Sequence, residues 1–153
     1  MIHSKIVPML LTFAALAGFS SIASAKTCSF ELQGTDQMKY DKDAIAVGAD
    51  CTEVEIKLKH AGTLPKTSMG HNWVLTEGAD FQAVTTAGVT AGPDQNYTPK
   101  GDKRVIASTK LVGGGESTSV KFPTAKLKKG GDYIFFCSFP GHWAVMKGKL
   151  TYG

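Results

Sequence analysis

The stretch DYIFFCSFPGHWAVMKGKLTY, residues 132–152, has the pattern of two β-strands joined by one loop. DYIFFC is rich in aromatic and β-branched residues, SFPG is a turn signature, and KGKLTY alternates apolar and polar residues. The loop carries a thiol, an imidazole and a thioether at Cys137, His142 and Met146, in the spacing Cys-x4-His-x3-Met. We therefore expect these three side chains to meet at one end of a strand pair.

Short strand-like runs separated by turn residues occupy most of the chain. In EVEIKLK (Glu53–Lys59), apolar residues alternate with charged ones, as in a strand with one buried face. The other runs are CSFELQ, AIAV, NWVLT, KRVIAST, STSVKF, DYIFFC and KGKLTY. Seven or eight short strands at this spacing predict an all-β protein, either a Greek-key sandwich or a small barrel.

One stretch, around residues 80–92, departs from the strand pattern. It is too long for a tight hairpin loop, and its apolar residues recur at helical spacing. Asp80 is placed to cap a short helix, and Gly92–Pro93 is placed to end it. We expect one short helical insertion on an otherwise all-β core.

The first 25 residues have the pattern of a secretory signal peptide. Lys5 gives a positive start, Ile6–Phe19 form a mostly apolar core of 14 residues, and Ala23–Ala25 (ASA) supply a small-residue cleavage pattern. A membrane-spanning helix needs roughly 20 apolar residues, so this core is too short to be an anchor. We expect cleavage after Ala25, export to the periplasm, no membrane attachment afterwards and one domain spanning residues 26–153.

The charge of the mature chain gives no firm indication of a partner. The signal segment contains one of the 17 basic residues and none of the 13 acidic ones, so residues 26–153 carry a net charge of +3 with neutral histidines. Nucleic-acid-binding proteins have a dense basic patch or stripe instead. We therefore exclude a nucleic-acid partner.

Three cysteines remain after residue 25, and an exported protein meets an oxidising compartment in which cysteines pair. Three thiols cannot all pair within one chain. Cys28 and Cys51 are the natural pair because each lies at the end of a strand-like run near the N-terminus, and we expect their bridge on the first hairpin. Cys137 is then left as a reactive or metal-binding thiol.

The donor set around Cys137 is typical of a copper site. A thiolate and a thioether select copper among biological metals, and a trigonal His₂Cys site with a weak axial Met is the blue-copper arrangement. Such a site needs a second histidine besides His142. His71, at the start of the run NWVLT, has the better setting, while His60 at the end of EVEIKLKH remains possible on sequence logic.

Two motifs, MGHNWVL and FFCSFPGHWAVMKG, closely resemble those of the azurins, bacterial blue-copper proteins of the cupredoxin superfamily. The resemblance extends to DQMKYD, GTLPK, RVIA and TKLVGGGE and so covers essentially all of residues 26–153. It implies a cupredoxin-like, eight-stranded Greek-key β-sandwich with one helical insertion. It also implies one copper ion with His71, Cys137 and His142 as equatorial ligands, Met146 as a long axial ligand and the Gly70 carbonyl as a second weak axial contact.

The same resemblance implies roles for residues around the ligands. Asn72 is expected to tie the His71 strand to the loop near Ser138, and the N–H groups of Asn72 and Phe139 are expected to donate to the Cys137 sulfur. His142 is expected to lie within an apolar surface where redox partners dock. We call this surface the apolar patch, and its predicted members are Met38, Leu64, Met69, Val89, Phe139, Pro140, Trp143 and Ala144.

These features favour a monomeric electron carrier that exchanges single electrons with a c-type cytochrome or a periplasmic reductase, partners that follow from the resemblance alone. A copper chaperone or storage protein is the second possibility, but such proteins favour exposed Met-rich or multi-Cys clusters. An enzyme is disfavoured. A Cys–His hydrolase needs an activated thiolate with an orienting third group, and a catalytic copper needs an open coordination position.

Overall fold

The computed structural model describes residues 25–153. The predicted signal peptide therefore lies outside the described residues except for its last position, and its cleavage stays a prediction. Within residues 25–153, no helix is long and apolar enough to cross a membrane.

Two β-sheets form the body of the described chain, one of four strands and one of five. The strands are β1 (Thr27–Thr35), β2 (Lys39–Tyr40), β3 (Ala44–Val47), β4 (Glu53–His60), β5 (Val74–Glu77), β6 (Ala107–Ser108), β7 (Ser117–Pro123), β8 (Tyr133–Phe136) and β9 (Lys147–Tyr152). The four-stranded sheet has the order β2-β1-β4-β7 and the five-stranded sheet the order β3-β9-β8-β5-β6. The predicted all-β sandwich is confirmed. The described residues hold nine strands rather than eight because the two-residue strand β2 was not anticipated.

Strand β4 shows why the alternating pattern produces this fold. Val54, Ile56, Leu58 and His60 are almost completely buried, whereas the residues between them face outward. Leu75 and Phe135 of the five-stranded sheet, together with Trp73 just before β5, pack in the same cluster and complete the core. Burying each large apolar side chain contributes roughly 1.5–3 kcal/mol, so the register of β4 cannot slip by one residue without exposing that whole set.

The helical insertion also forms as predicted. A 3-10 turn (Gly78–Asp80) leads into helix α2 (Phe81–Ala91), which ends where Gly92 adopts a φ of 73°. Asp80 occupies the capping position but its side chain makes no capping hydrogen bond, so that part of the prediction is wrong. Val84 instead fixes the helix by packing against Val74 and Phe136 on the outer face of the five-stranded sheet. A single helical turn, α1 (Lys66–Met69), was not anticipated.

The predicted disulfide between Cys28 and Cys51 is present. It does not lie on a hairpin, because β1 and β4 run parallel and pair in register from Thr27 opposite Glu53 to Gly34 opposite His60. The bridge therefore ties the start of β1 to the turn before β4. This is the opposite end of both strands from Gly34 and His60, which lie near the candidate site described below.

Candidate metal centre

The loop after β8 brings Cys137, His142 and Met146 to one end of the sandwich. Its ends are tied together because the Cys137 N–H donates to the Met146 carbonyl at 3.0 Å. Inside it, the Met146 N–H donates to the His142 carbonyl at 2.7 Å, and the His142 N–H donates to the Phe139 carbonyl at 3.0 Å. Gly141 turns the chain with a φ of 82°, in the left-handed region that glycine tolerates best. These hydrogen bonds hold the loop as a compact turn.

His71 reaches the same place from a distant part of the chain. Its backbone forms an isolated antiparallel bridge with Val112, with N–H to carbonyl distances of 2.9 and 2.8 Å. On its ring, Nε2 lies 2.8 Å from the Thr35 carbonyl and donates its proton there. That hydrogen bond leaves the lone pair on Nδ1 free to bind a metal.

The sulfur and two imidazole nitrogens converge on a small volume. Cys137 Sγ lies 3.9 Å from His71 Nδ1 and 3.6 Å from His142 Nδ1, and the donor atoms of the three residues lie within 4.8 Å of one another. His71 and Cys137 are fully buried and His142 is 3% exposed. Soft sulfur with two imidazoles is a donor set that copper fits.

Burial sets the protonation of these donors in the absence of metal. It raises the pKa of the Cys137 thiol to about 12, while N–H groups of Asn72 and Phe139 directed at the sulfur lower it in part. Burial lowers the pKa of His142 to about 4, helped by repulsion from His71 and His60, and burial also lowers the pKa of His71. At neutral pH the imidazoles therefore keep their lone pairs free and the thiol keeps its proton.

The two remaining candidate ligands lie against this cluster. The Gly70 carbonyl oxygen is 3.8 Å from Cys137 Sγ. Met146 is fully buried, and its terminal Cε and the His71 ring both face Gly34: a Cβ placed on Gly34 would lie 2.9 Å from Met146 Cε and 2.7 Å from His71 Cδ2. Gly34 therefore has to lack a side chain for these two residues to occupy their positions.

His60, the alternative histidine, does not offer a nitrogen to the cluster. Its Nδ1 accepts the Gly62 N–H at 3.1 Å and its Nε2 donates to the Met69 carbonyl at 2.8 Å. Its ring instead stacks on the His71 ring with centroids 4.3 Å apart. His60 supports the position of the His71 ring from behind.

Asn72 links the two segments that carry the donors. Its Oδ1 accepts the Ser138 N–H at 2.8 Å and its Nδ2 donates to Ser138 Oγ at 2.8 Å. Both residues are almost completely buried. Because each follows a donor residue directly, these hydrogen bonds fix His71 and Cys137 relative to each other.

The predicted members of the apolar patch differ in exposure. Met38, Leu64 and Val89 are 38%, 41% and 47% exposed. Pro140 and Ala144 are also exposed, whereas Met69, Phe139 and Trp143 are partly buried. Trp143 packs against the cluster of Val74, Val84 and Phe136, so part of the indole is used to hold the loop against the region under α2.

Several residues that build the site were missed by sequence reasoning. Val145, next to Met146 at the end of the loop, is 62% exposed and adds an apolar side chain to the surface there. Gly34 and Thr35 support His71 from the end of a strand run, where the turn residue Gly34 is only a weak local signal. Val112 lies within TKLVGGGE, one of the stretches that carry the resemblance, but nothing in that stretch indicated its pairing with His71.

Residues 26–153 match the family model of copper binding proteins of the plastocyanin/azurin family. The chain belongs to this family. It is 56% identical to the azurin of Bordetella pertussis over 137 residues, which cover 90% of this chain and 91% of that protein. It is 49% identical to the azurin of Pseudomonas aeruginosa over 146 residues, covering 94% and 99%.

A solved structure supports the same assignment. An azurin from the obligate methylotroph Methylomonas sp. strain J matches with a TM-score of 0.80 and 46% sequence identity, covering 82% of this chain and 98% of that one. The predicted family, the cupredoxin-like fold and copper as the cofactor are therefore confirmed. The family and the His–Cys–His cluster support a blue copper electron-transfer protein.

Proposed function

We propose that this protein is a monomeric, periplasmic blue copper carrier that shuttles single electrons between redox partners. The observation that carries the proposal is the convergence of three buried donor atoms from His71, Cys137 and His142 within 4.8 Å. When bound, copper supplies reversible one-electron exchange between Cu(II) and Cu(I). These three residues would bind the copper ion most strongly, Met146 would supply a weaker thioether contact and the Gly70 carbonyl a second weak contact.

The side chains around the donors suit such a carrier. The surroundings of Cys137 exclude water and penalise net charge, so they favour the reduced state, which is neutral with one thiolate, over the oxidised state of charge +1. The bonds from His71 to Thr35 and from Asn72 to Ser138 hold the donors in place when the charge changes. A frame that moves little keeps the reorganisation needed for each electron small, because packed cores resist deformation.

The apolar patch is the proposed docking surface for partners. His142 lies under Phe139, with ring centroids 4.5 Å apart, so an electron leaving through this histidine has a short path to the exposed apolar residues. Small apolar interfaces suit redox encounters that must dissociate quickly. A c-type cytochrome or a periplasmic reductase is the proposed partner class, reached after export through the signal peptide of residues 1–25.

Trp143 is proposed to contribute to partner contact with the exposed part of its indole. Replacing it with serine should slow electron exchange with a cytochrome partner, measured by stopped-flow absorbance. Trp143→Phe keeps an aromatic ring on Val84 and Phe136 and serves as the control for packing. An unchanged exchange rate in Trp143→Ser would contradict the docking role.

Copper storage or delivery is less compatible with this arrangement. A protein that hands over its metal presents accessible sulfur, whereas Cys137 and Met146 are fully buried here. The donors also come from separate elements that are hydrogen-bonded to one another, which opposes release.

The absorption and EPR spectra of the copper-loaded mature protein test the proposal. We expect an intense thiolate-to-Cu(II) band that Cys137→Ser abolishes and that His60→Gln retains, since the nitrogens of His60 face Gly62 and Met69. Circular dichroism of each metal-free variant checks that it has folded. A colourless oxidised wild-type protein, or a Cys137→Ser variant that stays blue, would refute the assignment.

A further inference from the structure

The turn that follows helix α2 has an unusual backbone conformation. Asn96 adopts φ 55° and ψ 30°, and Tyr97 also has a positive φ of 53°. Asparagine is one of the few residues other than glycine that enter this left-handed region at small cost. The turn is closed by the Tyr97 N–H donating to the Gly92 carbonyl at 2.9 Å and the Thr98 N–H donating to the Gln95 carbonyl at 3.0 Å.

This conformation directs the Asn96 carbonyl at the link between the two donor segments. The carbonyl oxygen accepts a hydrogen bond from Asn72 Nδ2 at 2.8 Å and lies 3.4 Å from Ser138 Oγ. Asn72 and Ser138 are the residues that follow His71 and Cys137. One backbone oxygen of the post-helix turn therefore contacts both segments.

The Asn96 side chain reaches a third segment. Its Oδ1 accepts the Leu111 N–H at 2.9 Å. Leu111 precedes Val112, whose backbone forms the two hydrogen bonds that hold His71. Leu111 is only 7% exposed, so its N–H has little access to water if the Asn96 acceptor is removed.

The next residue of the turn contacts the loop through aromatic rings. Tyr97 packs edge-on against Phe139 with centroids 5.3 Å apart, and Phe139 lies against His142. Helix α2 packs directly against this turn. A Cβ on Gly88 of the helix would lie only 2.3 Å from the Tyr97 carbonyl oxygen. The helix and its turn thus contact every segment that carries a donor.

We propose that Asn96 is a positioning residue for the copper site. Its carbonyl, directed by the left-handed backbone, joins the His71 segment to the Cys137 segment, and its side-chain oxygen joins both to the Leu111–Val112 segment. In this arrangement the helical insertion is part of the frame that sets ligand geometry. The inference rests on the proposed function in that it takes His71, Cys137 and His142 as the ligands.

Two substitutions separate the side-chain bond from the backbone conformation. Asn96→Gly keeps the left-handed turn and the carbonyl but removes the acceptor of the Leu111 N–H. Asn96→Asp keeps an oxygen at the Oδ1 position and a residue that tolerates the left-handed region, so it should restore the wild-type behaviour. Asp94→Ala, an exposed change two residues earlier in the same turn, is the matched control.

The first measurement uses the metal-free mature protein and does not depend on copper. In Asn96→Gly, we expect the Leu111 amide to exchange its hydrogen about tenfold faster than in wild type. The Val112 and His71 amides should follow it, while amides of β1 and β4 keep their protection. Asn96→Asp and Asp94→Ala should match the wild type at all these positions.

The second measurement is the Cu(II) spectrum of the same proteins. We expect Asn96→Gly to shift the charge-transfer band and the copper hyperfine splitting while Asn96→Asp leaves both at the wild-type values. A uniform rise in exchange with an unchanged spectrum would show a structural role only and would overturn the inference, as would failure of Asn96→Asp to restore the exchange rates. If the wild type itself gives no thiolate-to-Cu(II) band, the proposed function fails. The amide hydrogen-exchange rates of the metal-free protein still test the contacts of Asn96 in that case.

Discussion

Adding one methyl group at Gly34 should disturb the copper site from a strand that carries none of its ligands. A Cβ at this position would lie 2.7 Å from His71 Cδ2 and 2.9 Å from Met146 Cε, whereas ordinary van der Waals contact begins at 3.4 Å. The methyl group therefore has to displace the ring by about 0.7 Å and the thioether methyl by about 0.5 Å if the backbone stays in place. The backbone has little freedom, because Gly34 is paired with Tyr40 in β2 and with His60 in β4.

The two displaced groups differ in how easily they move. Met146 Cε ends a flexible side chain and can rotate away. The His71 ring cannot, because its Nε2 donates to the Thr35 carbonyl and the ring stacks on that of His60. We expect Gly34→Ala to lower the free energy of unfolding of the metal-free protein by about 1–3 kcal/mol, the usual cost of overpacking. The lower chain entropy of alanine offsets this by at most about 1 kcal/mol.

Urea unfolding of the metal-free protein and the spectrum of the Cu(II) form together test this prediction. Gly34→Ala should shift the unfolding midpoint down and move the charge-transfer band, since the Nδ1 donor moves with its ring. Gln33→Ala, a substitution at an exposed position of the same strand, is the control. It should change neither the unfolding midpoint nor the charge-transfer band. A Gly34→Ala variant with wild-type stability and a wild-type spectrum would refute the reasoning.

Four further outcomes can be measured on the same protein. Replacing both Cys28 and Cys51 with alanine should lower the free energy of unfolding by about 3 kcal/mol, because the bridge closes a loop with a sequence separation of 23 residues. The copper spectrum should stay unchanged, because the bridge lies at the end of β1 and β4 opposite to the metal centre. Thr76→Val should raise the thermal midpoint, with a gain of about 1 kcal/mol, since its buried hydroxyl has no hydrogen-bond partner among residues 25–153; a lower midpoint would contradict this. Met146→Leu should keep copper bound and shift the reduction potential in voltammetry, because a weak thioether contact changes the potential of the metal more than its affinity. Loss of copper from this variant would show that Met146 is needed for binding. Copper uptake should release one proton between about pH 7 and pH 11. In this range the Cys137 pKa of about 12 keeps the thiol protonated, the His142 pKa of about 4 keeps that ring neutral, and burial lowers the pKa of His71 below its ordinary value; calorimetry in buffers of different ionisation enthalpy counts the proton, and a count of zero would contradict the assignment.

The choice between His60 and His71 shows where sequence reasoning reached its limit. Both histidines adjoin strand-like runs. The setting of His71 made it the better candidate, but His60 stayed possible on sequence logic and only the resemblance assigned His71 as a ligand. In the structure, carbonyl and N–H groups of Met69 and Gly62 occupy both nitrogens of His60. These partners follow His60 closely in the chain, but no local sequence pattern predicts that the chain folds back onto the His60 ring.

What the sequence by itself determined is local. The alternation in β4 defined a strand with one buried face, and the spacing of Cys137, His142 and Met146 placed three donors on one loop, because side-chain direction in a strand and the reach of a short loop depend only on neighbouring residues. Tertiary structure alone decided the parallel pairing of β1 with β4 and the contacts of Gly34, Thr35 and Asn96 with donor segments. Asn96 lies 24 residues from Asn72 and 42 residues from Ser138, yet its carbonyl oxygen contacts both side chains. Such contacts form only when packing of the whole core brings distant segments together. They therefore cannot be predicted from the spacing of residues along the chain.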